Sequence, residues 1–325
     1  VTVFHTYGNG RFERRQVKLL SSVSGPDIRV MQVANANTQA INATLHTRNA
    51  YLLYQHLKTD HFDVVHFPDV TGTGFYCFLA KHQGLAFQDT KLTVGLHGST
   101  LSRALENCVL IDDLSYLERD FLERQSVALA DAVTSPGNWM FESVSRQNWA
   151  IPAKADIVRT LFTPVCAGQQ AEGIKNISSL IFIGSLDMKG GLDLFCNALE
   201  KVTRGGGAAN INEVIFLGID SFLHGRPSKN YIKTRSASWP FKARVHFVEG
   251  LAEDADCFYK PGSLAIVPGC DIGSVFAITA CLVRGLPFIC CNEEEISRQV
   301  ADVDRTRVQF QSSTHSLSLR LLEII

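Results

Sequence analysis

A chain of 325 residues with 46% hydrophobic and 19% charged residues exceeds one typical domain and is apolar enough for sizeable cores, so two domains are expected. A formal net charge of −1 excludes a protein that binds nucleic acid or an anionic membrane through bulk positive charge. No run approaches the roughly 18 to 20 apolar residues of a membrane span, and no basic, apolar leader opens the chain.

Val1 is not a methionine, and Val1 to His5 already reads as a strand, which suggests a fragment. From there short β-like runs alternate with helical patterns. Runs at Val1–Thr6, Ile28–Val33, Val64–Phe67, Leu92–Leu96, Ala132–Ser135 and Ile157–Thr160 are separated by helix-patterned segments near Gln39–Leu57, Gly74–Gln83, Asp112–Ala130 and Trp139–Gln147. Such alternation predicts parallel βαβ units with helices on both faces of a sheet. Between Phe162 and Ile177 the pattern lapses into Pro164, Gly168 and Gly173, which predicts a linker and a boundary at 163/164.

Alternation then restarts with strands at Leu180–Ile183, Val214–Leu217, Val245–Val248, Leu264–Val267, Phe288–Cys290 and Val308–Phe310. Helices are predicted near Leu192–Thr203, Phe276–Arg284, Glu294–Ala301 and Ser316–Ile325. The fold class is therefore α/β with two doubly wound domains, 1–163 and 164–325, whose ligands bind beyond the carboxyl ends of the strands. The nine cysteines show no CxxC pair and no metal-ligand spacing with histidine, so no metal site is expected. Scattered thiols suit a reduced, cytoplasmic setting.

The stretch from Ser179 to Val202 organises the second half. Leu180–Ile183 is a buried-strand run, and Leu192, Phe195, Leu199 and Val202 recur at offsets of three, four and three, one helical face. Between them lies Gly184-Ser185-Leu186-Asp187-Met188-Lys189-Gly190-Gly191. A glycine turn between strand and helix, with a lysine at its rim, offers free N–H groups and the positive end of a helix dipole to a phosphate. An ordinary strand-to-helix turn also needs glycine, so the turn alone leaves both readings open.

Further stretches bear on that choice. Asp63-Val64-Val65-His66-Phe67 precedes a Gly72 and Gly74 loop; Val94-Gly95-Leu96-His97-Gly98-Ser99 is a strand ending in His-Gly; Glu118 to Gly137 is a helix followed by Ala130-Asp131-Ala132-Val133. Phe182 to Gly190, Ile215 to Gly218, Val245-His246-Phe247, Ile266-Val267-Pro268-Gly269 and Ser274 to Ile289 follow in the second half. In order and spacing this set resembles the family 4 retaining glycosyltransferases, which have the GT-B fold of two Rossmann-like domains facing each other across a cleft.

The resemblance implies transfer of a hexosyl-type sugar from a nucleotide-diphosphate donor, of UDP or GDP type, with retention of configuration and without a cofactor or essential metal. Cations and helix N-termini aimed at the leaving diphosphate would stabilise its developing charge. By resemblance the donor side comprises Gly184, Ser185 and Lys189, Asp271, and Ser274, Val275, Phe276 and Ala277 at the start of a helix. His97 would donate to a sugar hydroxyl, and Gly72, Ser99 and Arg103 would lie on the acceptor side. Asp131 and Ser135 read as structural. The acceptor would be a glycan, lipid or protein, and peripheral membrane contact is compatible with this class.

The departures from the pattern are specific. Ser185 stands where the family has arginine, Gly269 replaces a serine, and Ala280 stands where a glutamate would hold the donor ribose. The family's first strand would precede Val1, and its returning final helix is not recognisable. Ser185 and Ala280 motivate an alternative, a catalytically silent GT-B domain with a binding role. A sugar-nucleotide epimerase of the same fold would need an acid and base carboxylate pair, and the sequence shows no convincing one.

Overall fold

The computed structural model describes residues 1–5, 28–33, 43–158, 176–239, 243–249, 257–270, 272–298 and 300–325. The chain divides into two compact units. The first comprises Val1–Ser102 and Ile111–Arg159, the second Arg103–Leu110 and Thr160–Ile325. The segment 103–110 thus groups with the second unit, which no sequence pattern foretold, while the predicted boundary at 163/164 lies outside the described residues.

In the first unit β1 (Thr2–His5) and β2 (Arg29–Gln32) form a parallel pair, and β3 (Val64–Pro68), β4 (Lys91–Gly95), β5 (Ala132–Ser135) and β6 (Ala155–Ile157) form a parallel sheet in chain order. Its helices are α1 (Leu45–Leu57), α2 (Phe75–His82), α3 (Thr100–Glu106), which ends in the 103–110 segment, α4 (Leu114–Ala128) and α5 (Asn138–Arg146). Leu53, Phe67, Phe78, Leu92, Val94, Val127 and Val133 share one buried core. Asp131, read as structural, receives the Lys81 ammonium at 2.5 Å and the Leu92 N–H at 2.7 Å, tying α2 to β4.

The second unit is a six-stranded parallel sheet in the order β11 (Arg244–Val248), β8 (Glu213–Leu217), β7 (Ser179–Ile183), β12 (Ser263–Val267), β13 (Phe288–Cys291) and β14 (Gln309–Phe310). Every residue of β7 and β12 is buried, as expected for central strands covered on both faces, whose sequences read as continuous apolar runs. Alternation along β7 divides the core. Leu180 and Phe182 join the predicted helical face Leu192, Phe195, Leu199 and Val202 of α6 (Leu192–Arg204), together with Phe216. Ile181 and Ile183 pack on the other side with Ala277, Ile278 and Cys281 of α8 (Ile272–Arg284).

The strand order fixes where a ligand can approach. From β7 the chain adds β8 and β11 outward on one side, then returns to place β12 beside β7 and continues to β13 and β14 on the other. The turns that leave β7 and β12 therefore run to opposite faces, which opens a crevice at the carboxyl ends of these two strands.

Several elements differ from expectation. The helix predicted over 294–301 is the shorter α9 (Glu294–Ser297), and a further helix, α10 (Asp302–Val308), follows, so the predicted strand 308–310 shortens to β14. A hairpin of β9 (Phe222–Leu223) and β10 (Arg226–Pro227) closes through His224 and Gly225, both at positive φ, the geometry of a two-residue turn. After it comes α7 (Ser228–Ala237), whose polar composition hides its helical period, and the chain ends in α11 (Thr314–Ile324).

Candidate functional site

The site of interest in the second unit begins where β7 gives way to α6. Asp187, itself buried, organises this turn: its Oδ1 accepts from the Ser185 hydroxyl and the Gly190 N–H, both at 2.8 Å, and its carbonyl accepts from Leu192 N–H. The Gly184 N–H donates to Leu217 and Leu186 N–H to Ile219 on the neighbouring β8 side. The expected ring of free N–H groups is therefore corrected: those of Gly190, Gly191 and Leu192 close the turn itself, those of Gly184 and Leu186 go to the β8 side, and that of Lys189 goes to Asn107. Ser185 does not replace the missing arginine, since its hydroxyl points inward to Asp187.

Lys189 is what the turn presents. Its side chain is 14% exposed and its Nζ lies 2.5 Å from Glu106, while its N–H donates to Asn107 Oδ1 at 2.9 Å. Asn107 Nδ2 reaches the Asp187 carboxylate at 3.4 Å. Both Glu106 and Asn107 belong to the 103–110 segment of the same unit.

The loop after β12 meets this turn backbone to backbone. A Cβ on Gly191, whose φ is +76°, would lie 2.8 Å from Pro268 Cβ, and one on Gly190 would lie 2.0 Å from the Ser185 carbonyl oxygen. On the facing side, a Cβ on Gly269 would lie 2.7 Å from Ser274 Oγ and 3.2 Å from Gly190 Cα. A side chain at 269, where the resembling family has serine, would press on Ser274 and on the Gly190 backbone. The crevice at the switch point is floored by main chain.

Of the residues expected at the start of α8, Ser274 and Ala277 are buried, Val275 packs against the core, and Phe276 is 51% exposed. The helix has 13 residues, enough for its N-terminal amides to carry partial positive charge toward the crevice. Asp271 lies outside the described residues. Ala280 is half-buried one helical turn past Phe276.

The first unit holds a second constellation around His97. The buried Asp69, which follows β3, accepts the His97 N–H at 2.9 Å and the Gly98 N–H at 3.3 Å. The imidazole Nδ1 lies 2.9 Å from the Gly95 carbonyl oxygen; a carbonyl only accepts, so Nδ1 carries the proton and Nε2 of the neutral ring is an acceptor. The side chain is 48% exposed. Glu123 from α4 is fully buried and accepts the N–H of Thr71 and both the N–H and hydroxyl of Thr100.

Burial drives the electrostatics of this pair. Desolvation raises Asp69 above the usual carboxylate range, opposed by the N–H groups it accepts and by His97. Desolvation likewise pushes Glu123 up to about 7, with the Thr100 and Thr71 hydrogen bonds opposing and the nearby Asp69 charge adding to the rise. Burial, and then His97, lowers His66, whose Nδ1 is 3.0 Å from the Thr93 hydroxyl.

The acceptor-side expectations fare unevenly. Ser99 is fully buried and caps α3, donating to Ser102 Oγ and receiving the Ser102 N–H. Gly72 is pressed against α4, where a Cβ would meet Leu122 at 2.4 Å. Arg103 is exposed and groups with the second unit. Asp69, Glu123, Glu106 and Asn107 were missed, and only Asp69 left a trace, an acid directly after a strand.

Two Rossmann-like units with these parallel sheets make the GT-B fold. Among solved structures, the chain is similar to a glycosyltransferase from Rickettsia africae, at 14% identity and a TM-score of 0.60 over 99% of this chain and 79% of the other. It is also similar to HepE of Anabaena, determined in complex with UDP-glucose, at 14% identity and 0.60 over 98% and 80%. A third is α,α-trehalose 6-phosphate synthase from Burkholderia multivorans, at 10% identity and 0.57 over 86% and 65%. No protein-family model matches the sequence, and no curated protein sequence does.

Proposed function

We propose that the chain is a glycosyltransferase that moves a hexosyl-type sugar from a nucleotide-diphosphate donor to an acceptor, with retention and without a metal at the diphosphate. The observation that carries the proposal is Lys189: its ammonium and its N–H each hold an oxygen atom, from Glu106 and Asn107, at the carboxyl-end crevice of the sheet. A diphosphate offers oxygens of the same kind. The N-terminus of α8 adds favourable dipole, worth about 0.3–1 kcal/mol and up to about 2 when partly buried. The reading also draws on the UDP-glucose bound by HepE, a protein of the same fold.

In this reading Lys189 neutralises the leaving diphosphate, and the amides at the start of α8 bind its second phosphate. With Nδ1–H on the Gly95 carbonyl, His97 accepts a hydrogen bond from a sugar hydroxyl at Nε2, where donation was expected. The donor is a UDP or GDP sugar, the acceptor a glycan, lipid or protein, and the setting the reducing cytoplasm; among the described residues no helix is long and apolar enough to cross a membrane.

Isothermal titration with UDP and GDP tests the donor site. Binding by the protein and a weakening of about tenfold or more in Lys189→Ala are expected, from the value of a hydrogen bond to a charged group. Equal affinity in Lys189→Ala would refute the assignment.

A further inference from the structure

Cys270 lies in the loop after β12, and Cys291 ends β13, the adjacent strand. Their sheet register, with Val267 opposite Cys290, sets the two strand ends side by side, and the two Sγ atoms are 3.3 Å apart. Glu293 follows two residues later. Its carboxylate oxygen and both sulfurs all lie within 4.8 Å of one another. Cys291 is buried, Cys270 partly buried and Glu293 exposed, so the cluster is a pocket of sulfur with one oxygen ligand at its open side.

We propose that Cys270, Cys291 and Glu293 bind a thiophilic divalent cation of the zinc class. The distances favour an ion over a disulfide. Two sulfurs at about 2.3 Å from one tetrahedral ion stand about 3.8 Å apart, so the pair opens by only about half an ångström. A disulfide at about 2.0 Å requires the sulfurs to close by more than an ångström. Two thiolate ligands also select against magnesium and calcium, which take oxygen.

As each sulfur–metal bond forms, its thiol proton passes to solvent. Three protein ligands leave a fourth position for water. The bound ion ties the β12–α8 loop to the end of β13. The ligands are not the residues assigned to the donor, and the site stands whether or not the donor reading holds.

The test is titration of the reduced, metal-free protein with Cd²⁺, followed by its thiolate-to-cadmium absorption band, and displacement by Zn²⁺. One Cd²⁺ per chain is expected. Cys270→Ser should abolish the band, and Glu293→Gln, at an exposed position, should weaken binding about ten- to hundredfold, the loss that even a supporting group produces. Exchange of the exposed Cys108 and Cys257 for serine should leave it intact.

An absent band in the reduced protein, a band that survives Cys270→Ser, or one lost with Cys108 and Cys257 overturns the proposal. Should Cys270→Ser fail to fold, X-ray absorption of the zinc-loaded natural protein decides. Two sulfurs and lighter atoms around zinc support the site, and any other sulfur count refutes it.

Discussion

The Lys189 ammonium lies 2.5 Å from the Glu106 carboxylate, and the same residue's N–H donates to Asn107. A phosphate that reaches Lys189 competes with these oxygens for its charge and donors. Glu106 is 40% exposed, and a solvent-exposed ion pair is worth about 0–1 kcal/mol. Glu106→Gln is therefore expected to tighten UDP or GDP binding by about two- to fivefold. Titration calorimetry reads this directly; weaker binding would show that Glu106 supports the site instead of competing for it.

Gly190 and Gly191 admit no side chain. The Cβ of Gly190→Ala would sit 2.0 Å from a carbonyl oxygen, and that of Gly191→Ala would combine a φ of +76° with a 2.8 Å approach to Pro268. The left-handed conformation alone costs about 1–2 kcal/mol for an L-residue. Each variant should lose at least about 2 kcal/mol of stability, seen as a lower urea midpoint. An unchanged midpoint would mean that the two loops separate easily.

Glu123 makes the first unit's stability depend on pH. Its carboxyl is held up to about 7 when folded, against an ordinary value of 4.5, so between these values the folded state binds more protons than the unfolded chain. This contribution is full below about 4.5, falls as pH rises through the window, and is lost above about 7, an effect of up to about 3 kcal/mol. Glu123→Gln, which has no proton to lose, should flatten that part of the curve. Denaturation followed at about pH 5 and about pH 8 compares the two proteins; parallel curves would refute the assignment.

His97 tests the sugar contact. His97→Ala should lower sugar transfer by about two- to tenfold, the value of one hydrogen bond, and leave UDP or GDP affinity unchanged. A loss of nucleotide affinity equal to the loss of transfer would remove His97 from the sugar and assign it to the donor phosphates.

The fold was readable because its signals are local. Buried parallel strands such as Leu180–Ile183 are continuous apolar runs, and the face of α6 repeats every three or four residues. The site was less readable because its organising contacts join distant positions. Asp187 is one residue among several in a glycine turn until its bonds to Ser185 and Gly190 are seen. Asn107 and Glu106 reach Lys189 from 82 and 83 positions away, and no period or spacing encodes that. Cys270 and Cys291 show no ligand spacing along the chain; the pairing of β12 with β13 brings them together. Ser99 and Gly72 were singled out by position alone; their helix cap and close helix contact are visible only in the folded chain.

The backbone contact between Gly190 and Gly269 also bears on how such a chain can diverge. Two loops that touch without side chains leave each other no room to vary, so a substitution in one survives only with a compensating retreat of the other. A combinatorial library over these positions should therefore return glycine at both, or paired changes with shortened or shifted loops, and almost no independent singles. New ligand preference would have to be acquired elsewhere, at exposed positions such as Phe276, while the floor beneath stays frozen.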